Sequence, residues 1–189
     1  ERLSGPERAT YLTRGKNAEF VRLMNPKESW DKFEIKTDFN RTFSDYLKRD
    51  WVDLQTDSFE AFDALVHKHP MVVAKLINEL GGKGLECLRL ADFADSRAMY
   101  DHCMANKQYL IEEFVSQHPE IAALHKQSLN TMRMVTFQRG GRSVLVYCVI
   151  RIGRGESTVD NTSSGGMSVF VDVDTGKLLV RIFFSGAVN

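Results

Sequence analysis

The spacing of apolar residues divides this chain into a helical start, a mixed middle and a strand-rich end. Asn17 to Met24 carries a helical pattern that Asn25-Pro26 stops. Phe39, Phe43 and Tyr46/Leu47 recur at i, i+4 and i+7/i+8, which predicts a helix over Thr37 to Lys48 with a core-facing stripe. Trp51 to Leu54 reads as a short strand. Ser58 is placed to cap a helix whose apolar face is Phe59, Phe62, Leu65 and Val66, and Pro70 ends it. Met71 to Leu90 reads as a strand, a glycine-rich loop and a second strand. Asp95 to Asn106 follows as a helix, Tyr109 to Val115 as a strand, and Pro119 opens a short helix to Lys126. The remaining pattern is of strands: Asn130 to Gln138, Arg142 to Ile152, Met167 to Val173 and Lys177 to Phe184. Arg139-Gly140-Gly141 and Asp174-Thr175-Gly176 are turns between them. The order predicts an α+β architecture of three parts: a helical extension over 1–36, a mixed α/β lobe over 37–115 and an antiparallel β-rich segment over 116–189. A cleft between the two sheets is expected.

Composition narrows the function classes. The chain's 189 residues suit one domain or two small lobes. Its 25 basic and 25 acidic residues cancel, so the positive excess of a nucleic-acid binder is missing. No apolar run approaches the ~20 residues of a membrane span, and the opening residues lack a secretory pattern. Cys87, Cys103 and Cys148 are odd in number and widely spaced, which suggests neither a zinc site nor a disulfide framework. A cytoplasmic location is the expectation. His67 and His69 fall at a helix end before Pro70, where they read as complementing the helix dipole, and no metal ligand is assigned.

Lys75 is the first residue with chemical promise. It lies in an apolar run beside Val72, Val73, Leu76 and Ile77, where an ammonium is costly to desolvate without a partner. Gly81-Gly82-Lys83-Gly84 follows, and its amides can form an anion-binding nest. A P-loop is excluded because Lys83 is followed by Gly84 and then by a strand pattern. A dinucleotide fingerprint is absent too. The plain alternative is a hairpin with an edge lysine that reaches water. Glu112 and Glu113 end a strand, where neighbours point to opposite faces, so only one can face a cleft. The same strand end offers backbone groups and an apolar neighbour, Phe114 or Val115, to a planar base. Arg133 and Arg151 lie in apolar strands and can form a fork for phosphate or carboxylate. The loop from Gly153 to Gly166 is longer than a hairpin needs. In it Asn161 can bond phosphate, and Asp160 can bind a metal or hold Arg151. The small polar residues lead us to expect a loop that is free without ligand and orders around phosphate.

Taken in order, these motifs resemble the ATP-grasp superfamily, and within it the sugar-transfer-associated group. They are the strand lysine, Gly-Gly-Lys-Gly, Ile-Glu-Glu-Phe-Val, Asn-Thr-Met-Arg, Arg-Ile-Gly, Asp-Asn-x-x-x-Gly-Gly and Val-Asp-x-x-Thr-Gly. The resemblance covers residues 36–184 and implies a two-lobe ATP-grasp-like fold. It implies that Lys75 holds ATP phosphates and that Gly81, Gly82, Lys83 and Gly84 cover them. Glu113, Phe114 and Val115 would meet adenine, and Arg133 and Arg151 the transferred phosphate or substrate. Asn161, Gly165 and Gly166 would line the phosphate end. Arg41 stands where family members place a second ATP-contacting lysine, and Glu120 and Thr131 are candidates for the ribose contact. The implied reaction is of the carboxylate–amine ligase type, with ATP as cofactor, magnesium in the full-length protein, and a carboxylate or amine as the second substrate. The family's later magnesium-binding acids lie beyond this chain's last hairpin, so an incomplete, inactive domain is expected. Asp172 and Asp174 read as turn supports. The alternative is a non-catalytic interaction module that self-associates through its C-terminal edge strand.

Overall fold

The computed structural model describes residues 4–10, 12–79 and 83–184. The chain forms two compact units, one of Glu1–Asn78 with Glu86–Glu113, the other of Glu79–Leu85 with Phe114–Asn189.

The first unit opens with four helices, α1 (Gly5–Thr10), α2 (Arg14–Met24), α3 (Asp31–Glu34) and α4 (Lys36–Thr42). It continues with β1 (Trp51–Asp53), α5 (Phe59–Lys68), β2 (Met71–Lys75), β3 (Glu86–Arg89), α6 (Ser96–Ala105) and β4 (Leu110–Glu113). The four strands form an antiparallel sheet in the order β1-β4-β2-β3. Register puts Val52, Ile111, Val72, Ala74 and Leu88 on one face, and these pack with Phe62, Leu65, Val66, Met99 and Cys103 of α5 and α6. Both helices start on side-chain caps: Ser58 accepts from Ala61 N–H and Asp95 from Ala98 N–H. The other face of the sheet carries Trp51, Asp53, Leu110, Glu112, Val73 and Lys75. There α4 meets it, with Thr37 and Asn40 buried.

The helix expected over Thr37 to Lys48 stops at Thr42. Phe39 and Phe43 pack at tilted angles against each other and against Phe33, so the i, i+4 pair is satisfied by a local aromatic cluster. Residues 43–47 then turn, and Tyr46 is 82% exposed rather than core-facing.

The second unit contains α7 (Pro119–Ala122) and an antiparallel sheet of β5 (Thr131–Arg139), β6 (Arg142–Ile152), β7 (Met167–Val171) and β8 (Leu178–Phe184), paired in sequence order. Gly140 and Gly141, both at positive φ, make the two-residue turn between β5 and β6, a conformation that matches strand twist. The pairing shifts between Val135 and Thr136. Among the residues whose burial is described, the buried apolar side chains of this unit are Cys148, Val149, Ile152 and Val169, in β6 and β7. Beside them Asn130 forms a polar core. Its Nδ2 donates to Gln117 Oε1 and to the carbonyls of Ile121 and His125, and its Oδ1 accepts from Gly153 N–H. The fold is α+β, in keeping with the order of helices and strands along the sequence.

Candidate functional site

In the first unit the site is built on the face of the sheet opposite the main core. Alternation along β4 sends Glu112 to this face and Glu113 to the other. Glu112, with a side chain only 3% exposed, accepts from Arg49 Nη2 at 2.8 Å and from Asn40 Nδ2 at 2.9 Å, and forms a short ion pair with Lys75 Nζ. Burial pushes the Glu112 carboxyl up, but the charge of Lys75 and the bonds from Arg49, Asn40 and Lys75 outweigh it and hold the group below its ordinary range. Lys75 therefore has the partner that its apolar strand required. Two cations meet one carboxylate here, and Arg49 Nε is buried with no hydrogen-bond partner among the described residues. A phosphate would supply the missing negative charge and an acceptor, so this donor set fits a nucleotide's anionic end.

Arg41 is tied elsewhere. It bonds Asp53 at 2.6 Å and Thr56 at 2.9 Å, and its hydrogen bond to Asp53 raises its pKa. Lys36, at the start of α4, reaches the residues just after β2: its Nζ donates to the carbonyls of Leu76 and Ile77 at 2.8 and 3.1 Å. Glu113 spends its amide on the Asp50 carbonyl at 2.9 Å. Phe114 and Val115 lie past the end of β4 and are partly exposed. Gly81 and Gly82 lie outside the described residues; Lys83 and Gly84 form a turn before β3, with Gly84 at φ 64°.

In the second unit Thr131 of β5 stands opposite Arg151 of β6. Thr131 Oγ1 accepts from Arg151 Nε at 3.0 Å and Nη2 at 2.7 Å, and donates to the buried Asp160. Asp160 also accepts from Thr131 N–H at 3.0 Å and pairs with Arg151 Nη2 at 3.3 Å. Arg151 Nη1 donates to Asn161 Oδ1 at 3.0 Å. A fixed guanidinium results, and Asp160 takes the arginine-holding role of the two expected for it. Arg133 lies on the same sheet face, opposite Val149, and is exposed. Gly166 is required by packing, since a Cβ there would lie 2.5 Å from the Asp160 carbonyl oxygen. Gly165 closes the same turn at φ 92°.

The loop from Gly153 to Gly166 carries several side-chain contacts that its small polar residues did not announce. Asp160 anchors it near its middle. His125 holds its start, accepting or donating to Ser128 Oγ at 3.0 Å and meeting the Gly155 carbonyl at 2.8 Å. Thr131, a candidate for the ribose contact, is occupied with Asp160 and Arg151. Glu120 lies in the first turn of α7 and is exposed. Asp172 accepts from Asp174 N–H, Thr175 N–H and Thr175 Oγ1, so it supports a turn as expected.

The family model for sugar-transfer associated ATP-grasp matches residues 16–188. The chain belongs to the sugar-transfer associated ATP-grasp family. No curated protein gives a significant match. Membership in an ATP-grasp family supports nucleotide binding. Asp160 and Asp172 fit magnesium poorly, because Asp160 is spent on Thr131 and Arg151 and Asp172 on its turn. Sequence reading missed Glu112, Arg49 and Asn40 as site residues. Strand alternation marked one of Glu112 and Glu113 but not which; nothing local marked Arg49 or Asn40.

Proposed function

We propose that this chain is an ATP-binding domain of a carboxylate–amine ligase type enzyme acting in the cytoplasm on precursors of polysaccharide or sugar transfer. Lys75 and Arg49 contact the nucleotide phosphates, with Glu112 keeping both cations in place. In the second unit Arg151, held by Thr131, Asp160 and Asn161, offers a fixed guanidinium to an anionic group, and Arg133 adds a second positive charge on the same sheet face. The chain's contribution is positioning and charge neutralisation. The observation that carries this reading is the pairing of one buried carboxylate with two cations, one of them with an orphaned donor.

The test is titration of the chain with a non-hydrolysable ATP analogue, with and without magnesium. Weak binding that changes little with magnesium, and no turnover, are expected. Lys75→Met should abolish detectable binding. Tight magnesium-dependent binding or robust ATPase activity would show that the metal ligands have been misplaced. A second reading, an interaction module that self-associates through its second sheet, is favoured by the exposed apolar side chains Met132, Met134, Val144, Val146, Leu178 and Leu179. It predicts concentration-dependent association in sedimentation velocity and no response to the analogue. No helix among the described residues is long and apolar enough to cross a membrane.

A further inference from the structure

On the face of β4 away from Glu112, three potential ligands converge from separate elements. Asp50 precedes β1, His69 follows α5 and Glu113 closes β4. One ligand atom from each lies within 4.8 Å of the other two. The backbone amide of each acid donates to the other residue: Glu113 N–H to the Asp50 carbonyl at 2.9 Å, and Asp50 N–H to the Glu113 side-chain Oε2 at 3.1 Å. The His69 side chain, 18% exposed, stands between them, with Nε2 2.7 Å from Asp50 Oδ2 and Nδ1 3.9 Å from Glu113 Oε1. His67, which the sequence pairs with His69, turns instead to Asp63, and His102 meets Glu86.

The carboxylates of this cluster outnumber the lysine ammonium paired with them. Asp50 and Glu113 are two carboxylates. Lys68 supplies one ammonium, 2.5 Å from Asp50 Oδ2, on a side chain that is 66% exposed. Arg49, the neighbouring cation in sequence, is committed to Glu112.

The geometry points to a site for a transition-metal dication of the zinc class, held by Asp50, His69 and Glu113 with solvent completing the shell. One imidazole and two carboxylates suit Zn²⁺ or Co²⁺, whereas magnesium favours all-oxygen surroundings. The ion takes the place of the Lys68 ammonium on Asp50. That exposed pair is worth little, so its displacement opposes binding weakly. A bound ion ties together the start of β1, the end of α5 and the end of β4. The site uses none of Lys75, Arg49 or Glu112, so it stands or falls separately from nucleotide binding.

The test is titration of the full chain with Zn²⁺ by calorimetry and with Co²⁺ by visible absorption. One ion per chain is expected. His69→Gln and Glu113→Gln should each weaken it by about tenfold or more. His67→Gln should leave it unchanged, and Lys68→Met should tighten it. In the unsubstituted chain, Zn²⁺ should protect His69 but not His67 from diethyl pyrocarbonate, read by mass spectrometry; this measurement decides the matter if the His69 variant does not fold. Equal protection of His67 and His69, no loss on His69→Gln, or no tightening on Lys68→Met would overturn the site.

Discussion

The two units each carry a four-stranded antiparallel sheet, yet they bury different things. In the first, α5 and α6 cover one face, and Phe62, Met99 and Val72 are fully buried. Its polar cluster around Glu112 sits on the opposite face, under α4. In the second, β5 leaves Met132 and Met134 at 54% and 58% exposed. Its burial gathers at one end of the sheet, around Asn130, Asp160 and Arg151. The first unit therefore rests on an apolar core with a polar site added. The second relies far more on hydrogen bonds, whose net contributions are small but whose loss leaves buried groups unpaired.

That contrast is open to direct attack. The largest effect is expected from Phe62→Ala, about 3–5 kcal/mol of destabilisation. Met134→Ala should stay within about 0.5 kcal/mol. Both tryptophans, Trp30 and Trp51, lie in the first unit, so their fluorescence during urea unfolding reports that unit; circular dichroism follows both units together. Comparable losses from the two substitutions would mean that Met134 contributes to packing as Phe62 does.

Next is Glu112→Ala, which strands two cations and should cost ~3 kcal/mol. Its counterpart in pH follows from sign. The folded carboxyl lies below its ordinary value of 4.5, so the unfolded chain binds its proton more readily. The stabilisation is complete above that value and is lost as pH falls through the lower folded pKa. Acid titration of the fluorescence midpoint should show this fall, and Glu112→Gln should flatten it. A Glu112→Gln profile that tracks the parent would place the acid sensitivity elsewhere.

In the second unit, Asp160→Ala leaves Thr131 N–H without its acceptor and Arg151 without its carboxylate, at a cost of about 2 kcal/mol. Gly166→Ala forces a methyl against the Asp160 carbonyl and should cost ~1 kcal/mol or more. Both should also raise hydrogen exchange at residues 158–166. Unchanged protection in Asp160→Ala would show that this acid does not fasten the loop.

Much of the fold was legible in advance because local signals and burial agreed. Ser58 and Asp95 cap their helices, and Arg142 to Ile152 is the strand that its pattern predicts. The helix from Thr37 was overextended because aromatic spacing alone does not say whether a third residue has a core to enter. The site was half legible. A lysine in an apolar strand announces a need for a partner, but the partner lies 37 residues away on another strand. Arg49 and Asn40 are 63 and 72 residues from Glu112, and their own surroundings look like ordinary polar surface. Asp160 and Arg151 are nearer in sequence, and their pairing was foreseen as one of two options.

By itself the sequence determined the α+β class, the sequence of elements and the family, because these follow from periodicity, caps, turns and ordered short motifs. Only tertiary structure decided which of Glu112 and Glu113 meets Lys75, which cations share that carboxylate, and that His69 rather than His67 faces two acids. Side-chain direction on a strand is fixed locally up to a choice of face. The face, and everything that gathers there, is settled by strand register and by helices brought together from distant parts of the chain.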